Sequence, residues 1–347
     1  MNFFLNNDIE EILIRSKNEL FKFDNKNILI TGSHGFLGKY FLAVFDKMQK
    51  NVNFPNFNKI VAVDNNISSS KLLQFNNLSY IDQRIGNVTD KIKLNEKFDF
   101  IIHLAGIASP QYYLANPLET IDAAVNTTKY LLEIAKNCNS KLTFFSSSEI
   151  YGDPTDNFIP TPESYRGNVS SRGPRACYDE SKRLGETLCW IYNNYYQVTA
   201  NVIRPFNVFG PGMQPTDYRV LPNFAWSIRN NTPLNIYGTG SQTRTFCYIN
   251  DAIDGFLKVI TSDLPSDAYN VGNPNPEISM NDLAALIAQI QGKILNINHI
   301  PYPDNYPSDE PLRRCPDINK INKTFNFYPQ IDLKTGLKRF LHWVEKV

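Results

Sequence analysis

Asn27-Ile-Leu-Ile-Thr31 runs without interruption into Gly32-Ser-His-Gly35-Phe-Leu-Gly38, and this junction decides the fold. A short apolar run that does not alternate with polar residues predicts a strand buried on both faces. The residues from about Gly38 to Lys50 predict a helix. Small residues between the two let the backbone approach a pyrophosphate, which would rest on the N–H groups of the helix N-terminus. A strand-to-helix turn needing positive φ would also place glycine here. The GxxGxxG spacing differs from the GxGxxG dehydrogenase fingerprint, but the physics is shared.

Working outward, Lys59-Ile-Val-Ala-Val-Asp64 predicts a second strand closed by a carboxylate. At that position Asp64 would accept from the adenosine ribose hydroxyls and repel a 2′-phosphate, favouring NAD over NADP; the alternative is a capping Asp in a loop. Phe98–Leu104, Lys141–Ser146 and Val198–Ile203 predict further buried strands, and Ile121–Asn137 a helix between two of them. Alternating apolar strands and helices imply an α/β fold, a Rossmann-type doubly wound parallel sheet. From about Asn207 the chain turns richer in Pro, Gly and Tyr, with helices expected near 251–261, 279–292 and 334–346. The expected division is an N-terminal helical extension (1–25), a dinucleotide-binding domain (26–206) and a smaller C-terminal α/β substrate domain (207–347).

Composition narrows the partners. The 347 residues carry a net charge of +1, which offers nothing to nucleic acid or an acidic membrane. Cys138, Cys177, Cys189, Cys247 and Cys315 are scattered with no CxxC pair, as expected of reduced thiols in a cytoplasm. His34, His103, His299 and His342 are equally dispersed, so no His-built metal site is expected. Met1–Leu20 mixes apolar and charged residues, which predicts an amphipathic helix and not a signal peptide. No apolar run approaches the ~20 residues that a membrane span needs.

Tyr178-Asp-Glu-Ser-Lys182 supplies the chemistry. On a helix the four-residue spacing puts phenol and ammonium on one face, a turn apart. A neighbouring cation would favour phenolate, turning a phenol with a pKa near ~10 into a base.

These residues carry a resemblance. The glycine turn, His103-Leu-Ala-Gly106, Ser146-Ser-Ser-Glu149-Ile-Tyr, Tyr178 with Lys182, and Arg204-Pro-Phe-Asn207 together resemble the extended short-chain dehydrogenase/reductases acting on nucleotide sugars. Ala108-Ser-Pro110, Ser148-Glu149-Ile-Tyr-Gly-Asp-Pro154, Gly173-Pro-Arg-Ala-Cys-Tyr-Asp-Glu180, Gly210-Pro-Gly-Met213 and Gly238-Thr-Gly-Ser-Gln-Thr-Arg244 look most like the UDP-glucuronate decarboxylase subgroup. The chain departs from that subgroup at Gly106-Ile107, where Ser-Pro is usual, at Ser147 (Thr) and at Asn87 (Asp).

The resemblance implies NAD as cofactor, cradled by Gly32, His34, Gly35, Phe36, Leu37 and Gly38. Asp64, Asn65, Asn87 and Val88 would hold the adenosine, with Leu104, Ala105, Gly106, Tyr178 and Lys182 beside the nicotinamide. It implies Ser109, Asn207, Arg219, Val220, Tyr237, Arg244 and Arg314 as contacts to a nucleotide sugar. Tyr112, Tyr113 and Trp226 are read as core or pocket wall. Asn126, mid-helix, would bond the strand beside the site.

Tyr178 would take the C4 hydroxyl proton, with Ser147 or Ser148 holding the oxygen. A C4 ketone makes a C5 carboxylate a β-keto acid, which loses CO2 without an acid for a departing hydroxyl. In 4,6-dehydratases an Asp-Glu pair supplies that acid; here the pair is Ser148-Glu149, one carboxylate, and decarboxylation is favoured. Arg244 offers a planar fork for a carboxylate or a diphosphate. Glu149 would orient the ring or pass a proton to C5. A 4,6-dehydratase, a 4-epimerase and a non-catalytic NAD-binding regulator are the alternatives. The helices near 121–137 and 178–196 carry surplus apolar residues, and by resemblance would pair as the four-helix bundle of a homodimer.

Overall fold

The computed structural model describes residues 3–69, 75–89, 94–214, 217, 219–302 and 311–347. Seven strands form one parallel sheet: β1 (Asn27–Thr31), β2 (Lys59–Asp64), β3 (Ile81–Ile85), β4 (Phe100–His103), β5 (Lys141–Phe145), β6 (Ala200–Pro205) and β7 (Ala268–Val271). Their spatial order is β7-β6-β5-β4-β1-β2-β3, so the crossover direction reverses between β1 and β4. Ligands of such sheets sit at that switch point, beyond the carboxyl ends of the strands.

Each strand but the edge strand β3 buries both faces, as its composition requires. Ile28 and Ile30 of β1 enter one core layer, while Leu29 enters the other. The first layer is covered by α1 (Asn6–Arg15), α2 (Lys17–Phe21), α3 (Phe36–Gln49) and α9 (Ile249–Ile260). The opposite layer is covered by α6 (Asn126–Cys138) and α7 (Ala176–Tyr196), through Leu131, Leu132, Cys189 and Tyr192. Among the described residues, no helix is long and apolar enough to cross a membrane.

The glycine turn is as tight as its sequence suggests. Gly32 has φ +70°, and a Cβ there would meet the Ala105 amide nitrogen at 2.7 Å. A Cβ on Gly38 would meet the Gly32 carbonyl oxygen at 2.3 Å, so strand and helix close on each other only because both positions lack side chains.

Three expectations need correction. The division at residue 207 is not clean, because α9 and β7 return to the large sheet from the segment assigned to the substrate domain. The single helix expected over 121–137 is two, α5 (Pro117–Ala124) and α6, broken at Val125 (φ −110°, ψ −65°). Asn126 is therefore an exposed first-turn residue bonding Asp122, not a mid-helix anchor to the sheet. His103 does that job: Nδ1 pairs with the Thr31 hydroxyl at 2.7 Å, and Nε2 reaches the Ala123 carbonyl at 3.2 Å.

The rest of the smaller lobe holds α8 (Val220–Arg229), α10 (Met280–Gln291), α11 (Asn319–Phe325), α12 (Leu333–Lys346) and short strand pairs. The N-terminal extension is bolted to it. Buried Asp8 accepts from the Tyr248 hydroxyl at 2.5 Å and from Arg339 at 2.9 Å, and Ser16 donates to Asp254 at 2.8 Å.

Candidate active site

Two cavities meet along Leu104 and Gly106, at the carboxyl edge of the sheet. The larger, about 740 Å³, is lined by Phe36, Leu37, Ser147, Ser148, Glu149, Tyr178 and Lys182 on the sheet side. Asn207, Arg219, Val220, Tyr237, Arg244 and Arg314 line it from the smaller lobe. The second, about 110 Å³, is bounded by Gly32, Gly35, Asp64, Asn65, Asn87, Val88 and Ala105. His34, Gly38 and Ser109 line neither. The His34 amide donates to Asp64 at 2.9 Å, Gly38 serves the close packing of the turn, and Ser109 precedes α4 (Pro110–Ala115) at its N-cap position without a side-chain capping bond.

The small cavity fits the adenosine end of a dinucleotide, whose other end would pass Leu104 and Gly106 into the larger cavity. Gly32 and Gly35 line it just before the start of α3, where backbone N–H groups can face a phosphate. Asp64 is oriented by the amides of His34 and Asn66 and by the Ser69 hydroxyl, while Asn65 donates to Asn87 at 2.9 Å across the pocket.

Tyr178 and Lys182 project from successive turns of α7. The Lys182 ammonium donates to the Phe145 carbonyl at 2.7 Å, where β5 ends. Ser147 caps the 3-10 helix Ser148–Tyr151, accepting from the Glu149 amide at 3.2 Å, and it lines the cavity beside Tyr178. Tyr113 stacks on Tyr178, with centroids 5.5 Å apart and planes 13° from parallel.

Burial outweighs every neighbouring charge at the Tyr178 phenol. Burial pushes the Tyr178 phenol up to about 12, the nearby Ser147 hydroxyl opposes this, and the Glu149 and Asp179 charges add to it. Burial also pulls the Lys182 ammonium down to about 8. A pyridinium bound beside Tyr178 would add positive charge and so favour the phenolate.

The expectation of a single acid near the site is corrected too. Arg175, at the N-cap of α7, bonds both Glu149 and Asp179, and Arg314 donates to the same Glu149 oxygen at 2.8 Å. Asp179 nevertheless stays out of the cavity wall, behind Arg175. Arg244 lines the cavity, but its guanidinium donates to the carbonyls of Thr243, Pro311 and Leu312, so part of its fork serves the loop. Asn207 donates to the Thr245 carbonyl, and Arg219 pairs with Asp217. Arg175 and Asp179 were missed as site residues, although their four-residue spacing on one helix face was visible.

Comparison with known proteins agrees with this geometry. The pattern of the NAD dependent epimerase/dehydratase family matches residues 28–272. The chain is 35% identical over 323 residues to UDP-glucuronic acid decarboxylase 1 of Xenopus tropicalis, covering 93% of this chain and 73% of that protein. It is 34% identical to UDP-glucuronic acid decarboxylase 5 of Arabidopsis thaliana, covering 92% and 90%. An epimerase structure from Methanothermobacter thermautotrophicus superposes with a TM-score of 0.80 at 25% identity, covering 96% of both chains. With the glycine cradle, the Tyr178–Lys182 helix and a match over most of its length, the chain belongs to the NAD dependent epimerase/dehydratase family, and its cofactor is NAD.

Proposed function

We propose that the protein decarboxylates UDP-glucuronate to UDP-xylose through a 4-keto sugar. The observation that carries this reading is the charge of the large cavity. Arg175, Lys182, Arg219, Arg244 and Arg314 line it, against one carboxylate, Glu149, among the described lining residues. Such a wall suits a ligand bearing both a diphosphate and a sugar carboxylate. The names of the curated relatives point the same way.

Bound NAD supplies the acceptor for the C4 hydride and returns it at the end of the cycle. Ser147 and Tyr178, which line the cavity together, would hold the C4 oxygen between them, with Tyr178 taking its proton. The resulting β-keto acid loses CO2 without an acid for a leaving hydroxyl. Dehydration from C6 needs both a base and an acid. The described wall offers one carboxylate, whose Oε2 already accepts from two guanidiniums. Glu149 would orient the ring or pass a proton through water to C5. Val220 and Leu221 set the start of α8 at the cavity wall, where a helix N-terminus suits the diphosphate. In this reading the large sheet, including β7, carries NAD, and the smaller lobe carries the nucleotide sugar.

The outer faces of α5 and α7 expose Leu118, Ile121, Leu184, Trp190 and Tyr195. A second copy covering that face would form a four-helix bundle, so the working unit is inferred to be a homodimer. The five free thiols support a reducing compartment such as the cytoplasm.

The test is incubation of purified protein with NAD and UDP-glucuronate, followed by mass spectrometry. Release of CO2 with a UDP-pentose is the expected result. A product of unchanged mass would instead mean an epimerase, loss of water from a hexose substrate a dehydratase, and inertness toward every nucleotide sugar a regulator.

A further inference from the structure

Arg175, only 4% exposed, bridges two carboxylates from different parts of the chain. It reaches Glu149, in the turn after β5, and its Nε donates to Asp179, one turn along α7, at 3.2 Å. Arg314 closes the group from the smaller lobe. Two guanidiniums and two carboxyls thus meet where little water reaches. The two acids are not equivalent. Glu149 faces the cavity, whereas Asp179 is 3% exposed and does not line it. Asp179 Oδ2 accepts from Arg175, but Oδ1 is buried without a hydrogen-bond partner. An ionised carboxylate with a bare buried oxygen is costly, and the neutral acid relieves most of that cost.

We propose that Asp179 is a positioning residue that works as an uncharged carboxylic acid, leaving the charge of Arg175 to Glu149 and to the carboxylate of the bound sugar. The part concerning the sugar rests on the decarboxylase reading; the uncharged state does not.

Burial, the largest influence, and the Glu149 charge push the Asp179 carboxyl up to about 7, while Arg175 and Arg314 oppose them. Ionised Asp179 would claim Arg175, repel Glu149 and disfavour the Tyr178 phenolate, since its charge raises that phenol. Activity should therefore fall as pH rises through Asp179's titration. Asn keeps an acceptor for Arg175 Nε but cannot ionise.

Two measurements on the full-length protein decide this. The first is an infrared difference spectrum, wild type minus Asp179→Asn, at pH 6 and pH 8.5. The expected result is the carbonyl stretch of a protonated carboxylic acid at pH 6, lost at pH 8.5; its absence at pH 6 overturns the proposal whatever the substrate proves to be. The second is the pH profile of kcat with UDP-glucuronate. The ratio of kcat at pH 8.5 to that at pH 6 should be about thirtyfold higher in Asp179→Asn than in wild type, the Lys182 ionisation being common to both. Superimposable profiles from two active proteins overturn the positioning role. A wild type inert toward UDP-glucuronate defeats the decarboxylase reading instead, and the infrared band still decides the charge state. Should Asp179→Asn fail to fold, Asp-specific 13C NMR titration of the wild type replaces the difference spectrum.

Discussion

Gly106 lies against Lys182: a Cβ built on this glycine would sit 2.9 Å from the ammonium nitrogen. The atom it meets is the far end of a flexible side chain, so Gly106→Ala should fold normally while displacing the ammonium from the Phe145 carbonyl. Misplacement of this order costs on the order of 10- to 100-fold in rate. The expected outcome is slower NADH formation in a single-turnover absorbance trace, with the melting temperature little changed. An unaltered rate would mean that the position of Lys182 does not limit hydride transfer.

Glu149 separates the two halves of the proposed reaction. Glu149→Gln keeps the shape but removes the charge shared by Arg175 and Arg314. The first oxidation should survive better than the later steps, which should slow about 100-fold, so NADH and a 4-keto sugar accumulate. Tyr178→Phe should behave oppositely: NAD remains bound, and no NADH appears with substrate. Equal slowing of every step in Glu149→Gln would remove its assigned role.

Legibility in the sequence followed how local each interaction is. Strands β1 and β2 could be bounded residue by residue, because continuous apolar runs leave one solution. Strand β3 could not, because Asp82 and Arg84 interrupt it at the sheet edge, where one side stays open to water. Strand β7 escaped because it follows the irregular lobe in sequence yet returns to the first sheet. The Tyr178–Lys182 pair was readable from helix geometry alone. The link from Arg314 to Glu149 spans 165 residues, and that from Tyr248 to Asp8 spans 240, distances at which no spacing rule operates. Motif residues were recoverable, and the ion pairs that orient them were not.

His103 makes a pH prediction for stability. Burial lowers its pKa to about 3, so the folded ring stays neutral through the mildly acid range. The unfolded chain takes up that proton below ~6.5 and therefore binds more protons than the folded one between the two values. Stability must then fall as pH drops from about 6.5 toward 3, by at most about 1.4 kcal/mol per pH unit, or about 2 kcal/mol by pH 5. His103→Asn, which retains one donor and one acceptor, should lose this component. Urea denaturation at pH 7 and pH 5 gives the comparison. Equal acid sensitivity of the two proteins would place the proton uptake elsewhere.

The exposed face of α5 and α7 makes a prediction about assembly. Leu118 is 71% exposed, Leu184 47% and Trp190 58%, and Trp190 packs edge-on against Tyr195. Single exposed apolar residues are ordinary on a protein surface, whereas several on two adjoining helices suggest a covered face. Charged residues at the centre of such a face cannot be buried without partners, so Leu184→Glu with Trp190→Glu should yield monomers by light scattering where the wild type gives dimers. Because α7 also carries Tyr178 and Lys182, loss of the partner should loosen this helix and lower activity along with mass. A wild type that is monomeric at micromolar concentration would mean that this face does not pair.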